Sequence, residues 1–404
     1  MKRLRLLFVK QSQNWPRSSG HDVHGYHLMQ ALLARGHAVS LACVVPPSVE
    51  ALAGLNLDAV HTLPIRRDAE SSERSAGTQV WSAWQRRFTN YFGVNEDLAT
   101  SLDTILQRES FDAVIVVARH LLPLLAVVKH STRIWYPADD PAWHHLTRIK
   151  LSQPKTWGEA KLALVNGLFE RAFCRSADRV WVVSAADRRA MRLITGCRQV
   201  DVISNGVDAE HYRPVPTWER GHPGRSETLP FSCAFWGRLD FGPNKDALAW
   251  FLKTIWPSVR AVNPSASFHV FGFNPTGEVR QLVRTPGVEL HPDLPDLRSE
   301  VARRQVVVLP FISGGGIKNK LLEAAAMGLP IVCSRKALSG TKGKPAVRVA
   351  DRTRDWAVAL NELWNNADVR SHLGRAARQW VVANHTWEAA AMTAEAACGF
   401  ATET

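Results

Sequence analysis

The sequence predicts an α/β protein built from two Rossmann-like, doubly wound domains. Apolar runs of strand length alternate with helical patterns, and these runs lack the polar alternation of a half-exposed strand. Such strands, separated by helices, are typical of a parallel sheet covered on both faces. The alternation breaks over residues 212–230 and then restarts. A chain of 404 residues also favours about two domains over a single core.

The first domain begins with the apolar segment RLLFV, a helical pattern and a second apolar segment, AVSLACVV. Gly36 stands where the helix between them would end. Four apolar residues of that helix are three or four positions apart: Val23, Tyr26, Met29 and Leu33. Later strands are predicted at residues 112–117, 133–137, 179–184 and 200–204. We assign residues 1–211 to this domain.

Residues 212–230 combine prolines, glycines and charges without a periodic pattern, which predicts a linker. A second domain, residues 231–385, follows with a helix at about 246–262 and further strands. The strands are predicted at residues 231–237, 267–272, 306–311 and 330–334. Residues 386–404 contain a final helical pattern, WEAAAMTAEAACGF. In doubly wound sheets, ligands bind beyond the carboxyl ends of the strands, so we expect the functional residues in those loops.

The composition indicates a globular protein with anionic partners. Hydrophobic residues make up 46% of the chain and charged residues 22%, which is enough apolar surface for packed cores. The formal net charge of +13 favours an anionic partner but does not choose among a nucleotide, a lipid headgroup and a polynucleotide. The chain lacks clustered basic and aromatic motifs, so we expect no nucleic-acid binding.

The six cysteines are scattered, without a C-x-x-C pair or a cysteine and histidine pairing at zinc-finger spacing. We therefore expect reduced cysteines, no structural metal and a cytoplasmic protein. The apolar stretch at the N-terminus is too short for a signal peptide. No apolar run approaches the roughly 18 residues of a membrane span, so any membrane contact would be peripheral.

Residues 141–200 are a candidate surface for such a peripheral contact at the inner face of a membrane. They carry eleven Lys and Arg residues against four acidic residues, and tryptophan and leucine are interleaved with the charges. A basic amphipathic surface of this kind can bind anionic lipid. The alternative is an ordinary solvated helix face.

The segment LPFISGGGIKNKLLEAAAMGLPIV, residues 309–332, predicts a buried strand, a glycine loop, a short helix and a second buried strand. The loop glycines let the backbone approach a ligand closely and direct N–H groups at it. These glycines are Gly314, Gly315 and Gly316. Their spacing matches neither the Walker loop nor the dinucleotide fingerprint.

Lys318 and Lys320 lie in the predicted first turn of this helix, where acidic residues are usual because the macrodipole is positive there. A bound diphosphate would supply the missing negative charge. The alternative is a simple glycine turn in which Lys320 pairs with Glu323, a contact that contributes only about 0.2–0.5 kcal/mol.

The segment GGGIKNKLLEAAAMGLPIV resembles the donor-binding segment of GT-B glycosyltransferases of family four, the glycosyl transferases group 1. Other segments agree with the family in the same order: residues 20–39, 182–191, 202–212, 235–251 and 270–275. The resemblance spans nearly the whole chain. It implies two Rossmann-like domains facing across a cleft, with residues 386–404 crossing back to the N-terminal domain.

The activity that this resemblance implies is the retaining transfer of a sugar from a nucleoside diphosphate sugar to a hydroxyl. The acceptor would be a saccharide, a lipid-linked saccharide or a small molecule. The sugar nucleotide is a co-substrate, and no cofactor is expected. The chain has no Asp-x-Asp triplet, so we expect transfer without a metal ion.

The resemblance also implies roles on the donor side. Glu323 would bind the ribose hydroxyls, and Arg238 would bind the diphosphate and stabilise it as it leaves. Either Lys245 or Lys320 would be the second basic residue at the diphosphate. An ion pair between Arg238 and Asp240 is the alternative.

The family's second glutamate falls at Gly315, so the backbone N–H groups of Gly316 and Ile317 would take over its contacts with the sugar. Phe273 would face the nucleobase, with a core position as the alternative. Gly20 matches the family glycine that lets the first loop approach the donor phosphate. Lys318 would join the phosphate contacts.

The acceptor side carries fewer recognisable residues. The family's catalytic histidine follows the fourth strand, where this sequence has Val117 and Ala118, with His120 slightly later. Asp139 and Asp140 follow the next strand and could orient or deprotonate an acceptor hydroxyl. A helix cap is the alternative for these two carboxylates.

Two other functions fit the same features. A GT-B sugar-nucleotide 2-epimerase would turn over the donor without an acceptor. A non-catalytic binding protein would keep donor affinity without turnover.

Overall fold

The computed structural model describes residues 2–15, 20–63, 80–94, 96–138, 142, 145–146, 149, 157–214, 228–314 and 316–398. The chain forms two compact units. The first unit comprises Met1–Ser204 together with Ala390–Thr404, and the second comprises Asn205–Ala389.

Seven described strands form the sheet of the first unit, and every neighbouring pair is parallel. They are β1 Arg5–Lys10, β2 Ala38–Cys43, β3 Ala59–Thr62, β4 Ala113–Val117, β5 Thr132–Ala138, β6 Arg179–Val182 and β7 Val200–Val202. Their order across the sheet is β3-β2-β1-β4-β5-β6-β7. This is the doubly wound order, with the reversal between β1 and β4.

The described helices of the first unit are α1 Gly20–Ala34, α2 Val49–Leu52, α3 Ala83–Phe92, α4 Glu96–Arg108, α5 Gly158–Phe173 and α6 Ala185–Thr195. Local signals set several of their ends. Ser82 forms a capping box with Gln85 at the start of α3, and Gly93 ends that helix in the left-handed conformation. At α6, Oγ of Ser184 accepts a hydrogen bond from Asp187 N, and Gly196 ends the helix in the left-handed conformation.

The sheet of the second unit contains six described strands, again all parallel. They are β8 Leu229–Trp236, β9 Ser267–Gly272, β10 Val288–Pro292, β11 Arg304–Leu309, β12 Ile331–Cys333 and β13 Arg348–Val349. The order β10-β9-β8-β11-β12-β13 repeats the arrangement of the first sheet, with the reversal between β8 and β11. Two Rossmann-like domains are therefore confirmed.

The described helices of the second unit are α7 Gly242–Trp250, α8 Trp256–Val262, α9 Gly277–Leu282, α10 Arg298–Ala302, α11 Asn319–Ala326, α12 Thr353–Asn365 and α13 Ala367–Asn384. A π-helical turn, Phe251–Ile255, joins α7 to α8 where the sequence predicts one continuous helix. Helix α14, Trp387–Cys398, follows, and its residues from Ala390 onward belong to the first unit. None of the described helices is long and apolar enough to span a bilayer.

Each predicted strand has a counterpart, but three observed strands have no prediction: β3, β10 and β13. Each lies at the outer edge of its sheet. The residues of β3 and β10 are a mixture of partly buried and exposed ones. Neither strand has the continuous buried run of a central strand. Edge strands have a neighbour on one side only, so they lack the continuous apolar run that marks a central strand.

The predicted linker, residues 212–230, is described only at its two ends, and residues 215–227 lie outside the described residues. Residues 205–211 precede it and belong to the second unit. Val207 donates its backbone N–H to His385 O at 2.9 Å, and Asn205 Nδ2 lies 2.8 Å from Asn319 Oδ1. These contacts attach the segment NGVD to the second unit.

The expectation that all cysteines are reduced is wrong for two of them, because Cys174 and Cys197 form a disulfide. Cys174 follows α5 directly, and Cys197 follows Gly196 at the end of α6. Both cysteines lie just beyond the C-terminal ends of their helices, and the packing of these ends brings together residues that are 23 positions apart. That spacing carries no local sequence signature. Cys43, Cys233, Cys333 and Cys398 are buried free thiols.

Candidate functional site

The candidate site of the second unit lies where the strand order reverses, between β8 and β11. Ligands of doubly wound sheets bind at this point, beyond the carboxyl ends of the strands. The loop after β8 contains Gly237 and Arg238, and the loop after β11 contains the predicted glycines. Helix α11 follows that second loop and carries Lys320 and Glu323.

Gly237 makes room at the centre of this site. Its φ of +141° lies in a region that residues with a side chain rarely adopt. A Cβ atom added there would lie 2.5 Å from Nζ of Lys320. Because glycine has no side chain, the lysine passes directly over the end of β8.

The glycine loop folds around Lys318. Gly314 and Gly316 have φ values of +87° and +64°, so both use the left-handed conformation that favours glycine. Helix α11 begins at Asn319, so Lys318 is its N-cap residue, one position before the predicted first turn. Nζ of Lys318 donates to Gly314 O at 3.1 Å and to Gly316 O at 3.3 Å. The ammonium group therefore holds the loop in its curved shape.

Lys320 is the cation that faces the end of β8. Its Nζ lies 5.7 Å from the ring centre of Phe235 and 5.8 Å from that of Phe311, so two aromatic faces contact the ammonium group. Burial lowers the pKa of Lys320 to about 8, against the opposing effect of Glu323. The side chain is still mostly protonated at neutral pH, next to the carboxylate of Glu323.

Glu323 lies one helical turn beyond Lys320. Its Oε2 accepts a hydrogen bond of 2.7 Å from Nε1 of Trp236, the last residue of β8. Burial raises the pKa of Glu323, although the Trp236 hydrogen bond and Lys320 act in the opposite direction. The charge of Glu323, together with burial, raises the pKa of Tyr212. An acid, a base and a tyrosine thus share a poorly solvated site.

Arg238 forms the ion pair that the sequence left open as an alternative. Its guanidinium donates to both carboxylate oxygens of Asp240, at 3.0 and 2.8 Å. About a third of each side chain is exposed, so the pair contributes little to stability. Nδ2 of Asn244 donates to Arg238 O at 2.7 Å and fixes the backbone of this loop.

Lys245 and Lys320 have different surroundings. Nζ of Lys245 pairs with the exposed Glu278 at 3.3 Å, on the outer side of α7. Of these two lysines, Lys320 is the one that lies against the end of β8, next to Gly237 and Phe235.

Two further donor-side residues lie next to this group. Phe273 follows β9 and is 44% exposed, so the core position considered as its alternative is wrong. Its carbonyl accepts from Leu239 N at 2.8 Å, which ties the loops after β8 and β9 together. The side chain of Ile317 packs into the core of the second unit. Gly315 lies outside the described residues.

The acceptor-side candidates belong to the first unit. Gly20 begins α1 directly after the first loop. Nε2 of His120 lies 3.1 Å from Oε1 of Gln11, in the loop after β1, so this histidine reaches the reversal point of the first sheet. Asp139 and Asp140 lie outside the described residues.

Two family models match the sequence over most of its length. The model described as Glycosyl transferases group 1 matches residues 230–366, and the Glycosyl transferase 4-like domain matches residues 19–206. The chain belongs to the group 1 glycosyltransferases. The first of these matches lies within the second unit, and the second lies almost entirely within the first unit. Comparison of this glycosyltransferase with curated proteins finds no match.

Solved structures similar to this glycosyltransferase share its fold at low sequence identity. A glycosyltransferase from Rickettsia africae ESF-5 is 11% identical, with a TM-score of 0.69 and 98% of both chains covered. A sucrose-phosphate synthase from Thermosynechococcus elongatus is 13% identical, with a TM-score of 0.68 and 98% of both chains covered. Anabaena Alr3699/HepE, solved with UDP and glucose, is 13% identical with a TM-score of 0.64, covering 98% of this chain and 100% of that one. At these identities the likeness shows the GT-B fold alone.

Sequence reasoning missed a buried lysine of this glycosyltransferase. Lys10 ends β1, and its Nζ contacts Gln13 Oε1 and lies 3.9 Å from Asp22 Oδ1. Burial lowers the pKa of Lys10 to about 8, with Asp22 opposing. A lysine that closes an otherwise apolar strand is the signal that could have identified it. Ala118, after β4, is another such feature, because it is a non-glycine residue with a φ of +82°.

Proposed function

We propose that this enzyme transfers a sugar, with retention of configuration, from a uridine diphosphate sugar to a hydroxyl of a saccharide or of a lipid-linked saccharide. The observation that carries the proposal is the Lys320 and Glu323 pair beside Gly237, at the reversal point of the second sheet. The group 1 family match supports sugar transfer, and the proposal of retention rests on that family. The choice of uridine rests on HepE, which was solved with UDP.

Glu323 is proposed to bind the ribose. Trp236 fixes the orientation of the carboxylate through one oxygen, and an ionised carboxylate can accept several more hydrogen bonds. Two ribose hydroxyls would each gain a charge-assisted hydrogen bond. Phe273, exposed after β9, offers an aromatic face to the base.

Lys320 and Arg238 are proposed to stabilise the leaving diphosphate as its charge develops. Arg238 can exchange its weak, partly exposed pair with Asp240 for a phosphate contact. The backbone N–H groups of Gly316, Ile317 and the start of α11 add positive potential. These groups supply the charge that a divalent cation would otherwise provide, and we propose that transfer needs no metal ion. Lys318 shapes the loop by binding its carbonyls.

The acceptor is proposed to bind at the loops of the first unit. His120, held near Gln11, and the carboxylates of Asp139 and Asp140 would orient or deprotonate its hydroxyl.

The test is a panel of nucleoside diphosphate sugars, scored by thermal unfolding and by release of free nucleoside diphosphate. A ligand that binds only the folded protein raises the unfolding temperature. We expect one uridine diphosphate sugar to stabilise the enzyme, and Arg238→Ala to weaken that shift. With an acceptor, NMR of the product should show the anomeric configuration of the donor. An inverted product, turnover without any acceptor, or no donor shift would each contradict the proposal.

We further propose that the first unit contacts an anionic membrane surface through α3 and α5. The two helices pack together through Phe88, Phe92 and Phe169. Large apolar side chains on their outer sides are 40% to 64% exposed: Trp84, Tyr91, Trp157, Leu162, Leu164 and Leu168. Exposed Arg87, Lys161, Arg171 and Arg175 accompany them. Exposed apolar groups beside basic groups are the combination that anionic lipid attracts.

Replacing Leu164 with Glu is expected to lower the fraction of protein bound to vesicles by about tenfold. A leucine side chain that becomes partly buried in the membrane contributes about 1.5 kcal/mol to binding. The glutamate that replaces it is repelled by the anionic lipid. Sedimentation with vesicles containing phosphatidylglycerol measures this fraction. Val358→Glu is the control, because Val358 is 68% exposed in the second unit. Equal binding of both variants, or equal binding to neutral vesicles, would remove the membrane from the proposal.

A further inference from the structure

Two histidines and a glutamate converge on β9 and β10, at the edge of the second sheet. Their potential ligand atoms all lie within 4.8 Å of one another, which is unique among the described residues. The parallel register places His269 of β9 opposite Glu289 of β10. His291 lies two residues after Glu289, so both side chains leave the same face of β10.

The distances between the three ligand atoms fit a metal ion. Nδ1 of His269 lies 3.1 Å from Nε2 of His291 and 3.4 Å from Oε2 of Glu289. Nε2 of His291 lies 3.7 Å from the same oxygen. Ligands placed tetrahedrally at about 2.0–2.1 Å from zinc are about 3.3 Å apart. The triangle therefore has the dimensions of one face of a zinc site.

His269 is already oriented as a metal ligand. Its Nδ1 lies 3.2 Å from Nη2 of Arg304, which can only donate, so Nδ1 carries the lone pair and Nε2 carries the proton, 3.1 Å from Oγ of Ser267. Metal-bound histidines usually donate their second N–H to such a partner.

Arg304 is the cation that contacts Nδ1 of His269. Its Nη2 lies 3.2 Å from Nδ1 of His269, and its Nη1 lies 3.0 Å from Oε2 of Glu300. Its guanidinium also covers the ring of Phe271 at 5.1 Å. An arriving cation displaces one hydrogen bond of Arg304, and the contacts with Glu300 and Phe271 keep the side chain satisfied.

We propose that His269, Glu289 and His291 bind a divalent cation of the zinc class, with water at the fourth position. Two imidazoles and one carboxylate are a ligand set that zinc prefers. The ion joins the edge strand β10 to β9. The site is separate from the candidate donor site, because its ligands lie within the strands and not in the loops after them.

The experiment uses the full chain, freed of metal with a chelator and titrated with zinc chloride. We expect one equivalent of zinc to bind and to raise the unfolding temperature. Cobalt should give the intense visible absorption of a tetrahedral site, without a thiolate band, because no cysteine is among the proposed ligands. Zinc should then displace the cobalt.

His291→Gln and Glu289→Gln test the ligands, since both side chains are accessible enough for substitution without loss of the fold. Each is expected to weaken zinc binding by more than about tenfold, and Ser267→Ala by about tenfold. His372→Gln, an exposed histidine on α13, is the matched control and should bind zinc as the wild type does. The proposal would be overturned if His291→Gln still bound zinc or if the control lost as much zinc affinity as the ligand variants. A thiolate band with cobalt, or no stabilisation by zinc, would also overturn it.

Discussion

Replacing Glu323 with Gln is expected to weaken binding of the nucleoside diphosphate by about 100-fold. The substitution keeps the shape of the side chain and an acceptor for Nε1 of Trp236, but it removes the charge. Hydrogen bonds to charged groups contribute about 1.5–3 kcal/mol each, and 1.4 kcal/mol corresponds to about tenfold in affinity. Isothermal titration with uridine diphosphate measures the loss directly.

The same variant should unfold at the same temperature as the wild type, or higher, in the absence of nucleotide. Burial raises the pKa of Glu323, which means that the folded protein disfavours the ionised carboxylate at neutral pH. Glu362→Gln is the control, because Glu362 pairs with Arg348 on the surface of the same unit. Unchanged nucleotide affinity in the Glu323 variant would remove this residue from the donor site.

Replacing Lys320 with Met is expected to lower kcat by about 10²–10³, which is the usual cost of losing one preorganised group that stabilises developing charge. Methionine has a similar volume and can remain between Phe235 and Phe311. Lys245→Met is the matched control. It removes the positive charge that pairs with Glu278 and should change kcat only a few-fold. The reverse result, a large loss in the Lys245 variant alone, would assign the diphosphate to Lys245.

The pH dependence separates a role in charge stabilisation from a role in packing. Lys320 has a pKa of about 8 and is positively charged below that value, so kcat/KM of the wild type should fall as the pH rises through 8. The Lys320→Met variant has lost this charge at every pH, and its profile should lack that fall. A fall of equal size in both enzymes would trace the titration to another group.

The central strands of both sheets could be predicted from the sequence because burial on both faces requires continuous apolar runs. The edge strand β10 could not, since its side chains alternate between partly buried and exposed positions. The glycine loop and Glu323 could likewise be located, because left-handed glycines and a family segment mark them. Both features depend on residues that are close together in the sequence, so the sequence alone indicates them.

Other parts of the site depend on contacts between distant segments. Helix α11 begins one residue later than the pattern indicates. Because of this start, Lys318 binds the loop carbonyls and Lys320 reaches the end of β8. Trp236 and Glu323 are 87 positions apart, and only the pairing of β8 with β11 brings them together. The pKa of Lys10 also depends on the folded structure, because burial lowers it while the nearby Asp22 and Cys43 act in the opposite direction.

The second unit is one continuous segment, residues 205–389, whereas the first is assembled from two. Helix α14 supplies Glu395, whose Oε2 accepts from Nη2 of Arg35 at 2.7 Å and lies 3.5 Å from Nε2 of His37. Domains made on the ribosome usually fold in the order of synthesis. Here the order is different, because the whole sequence of the second unit is synthesised before the segment of the first unit that starts at Ala390. A chain cut after residue 389 keeps the whole sequence of the second unit but lacks Glu395, the carboxylate that pairs with Arg35.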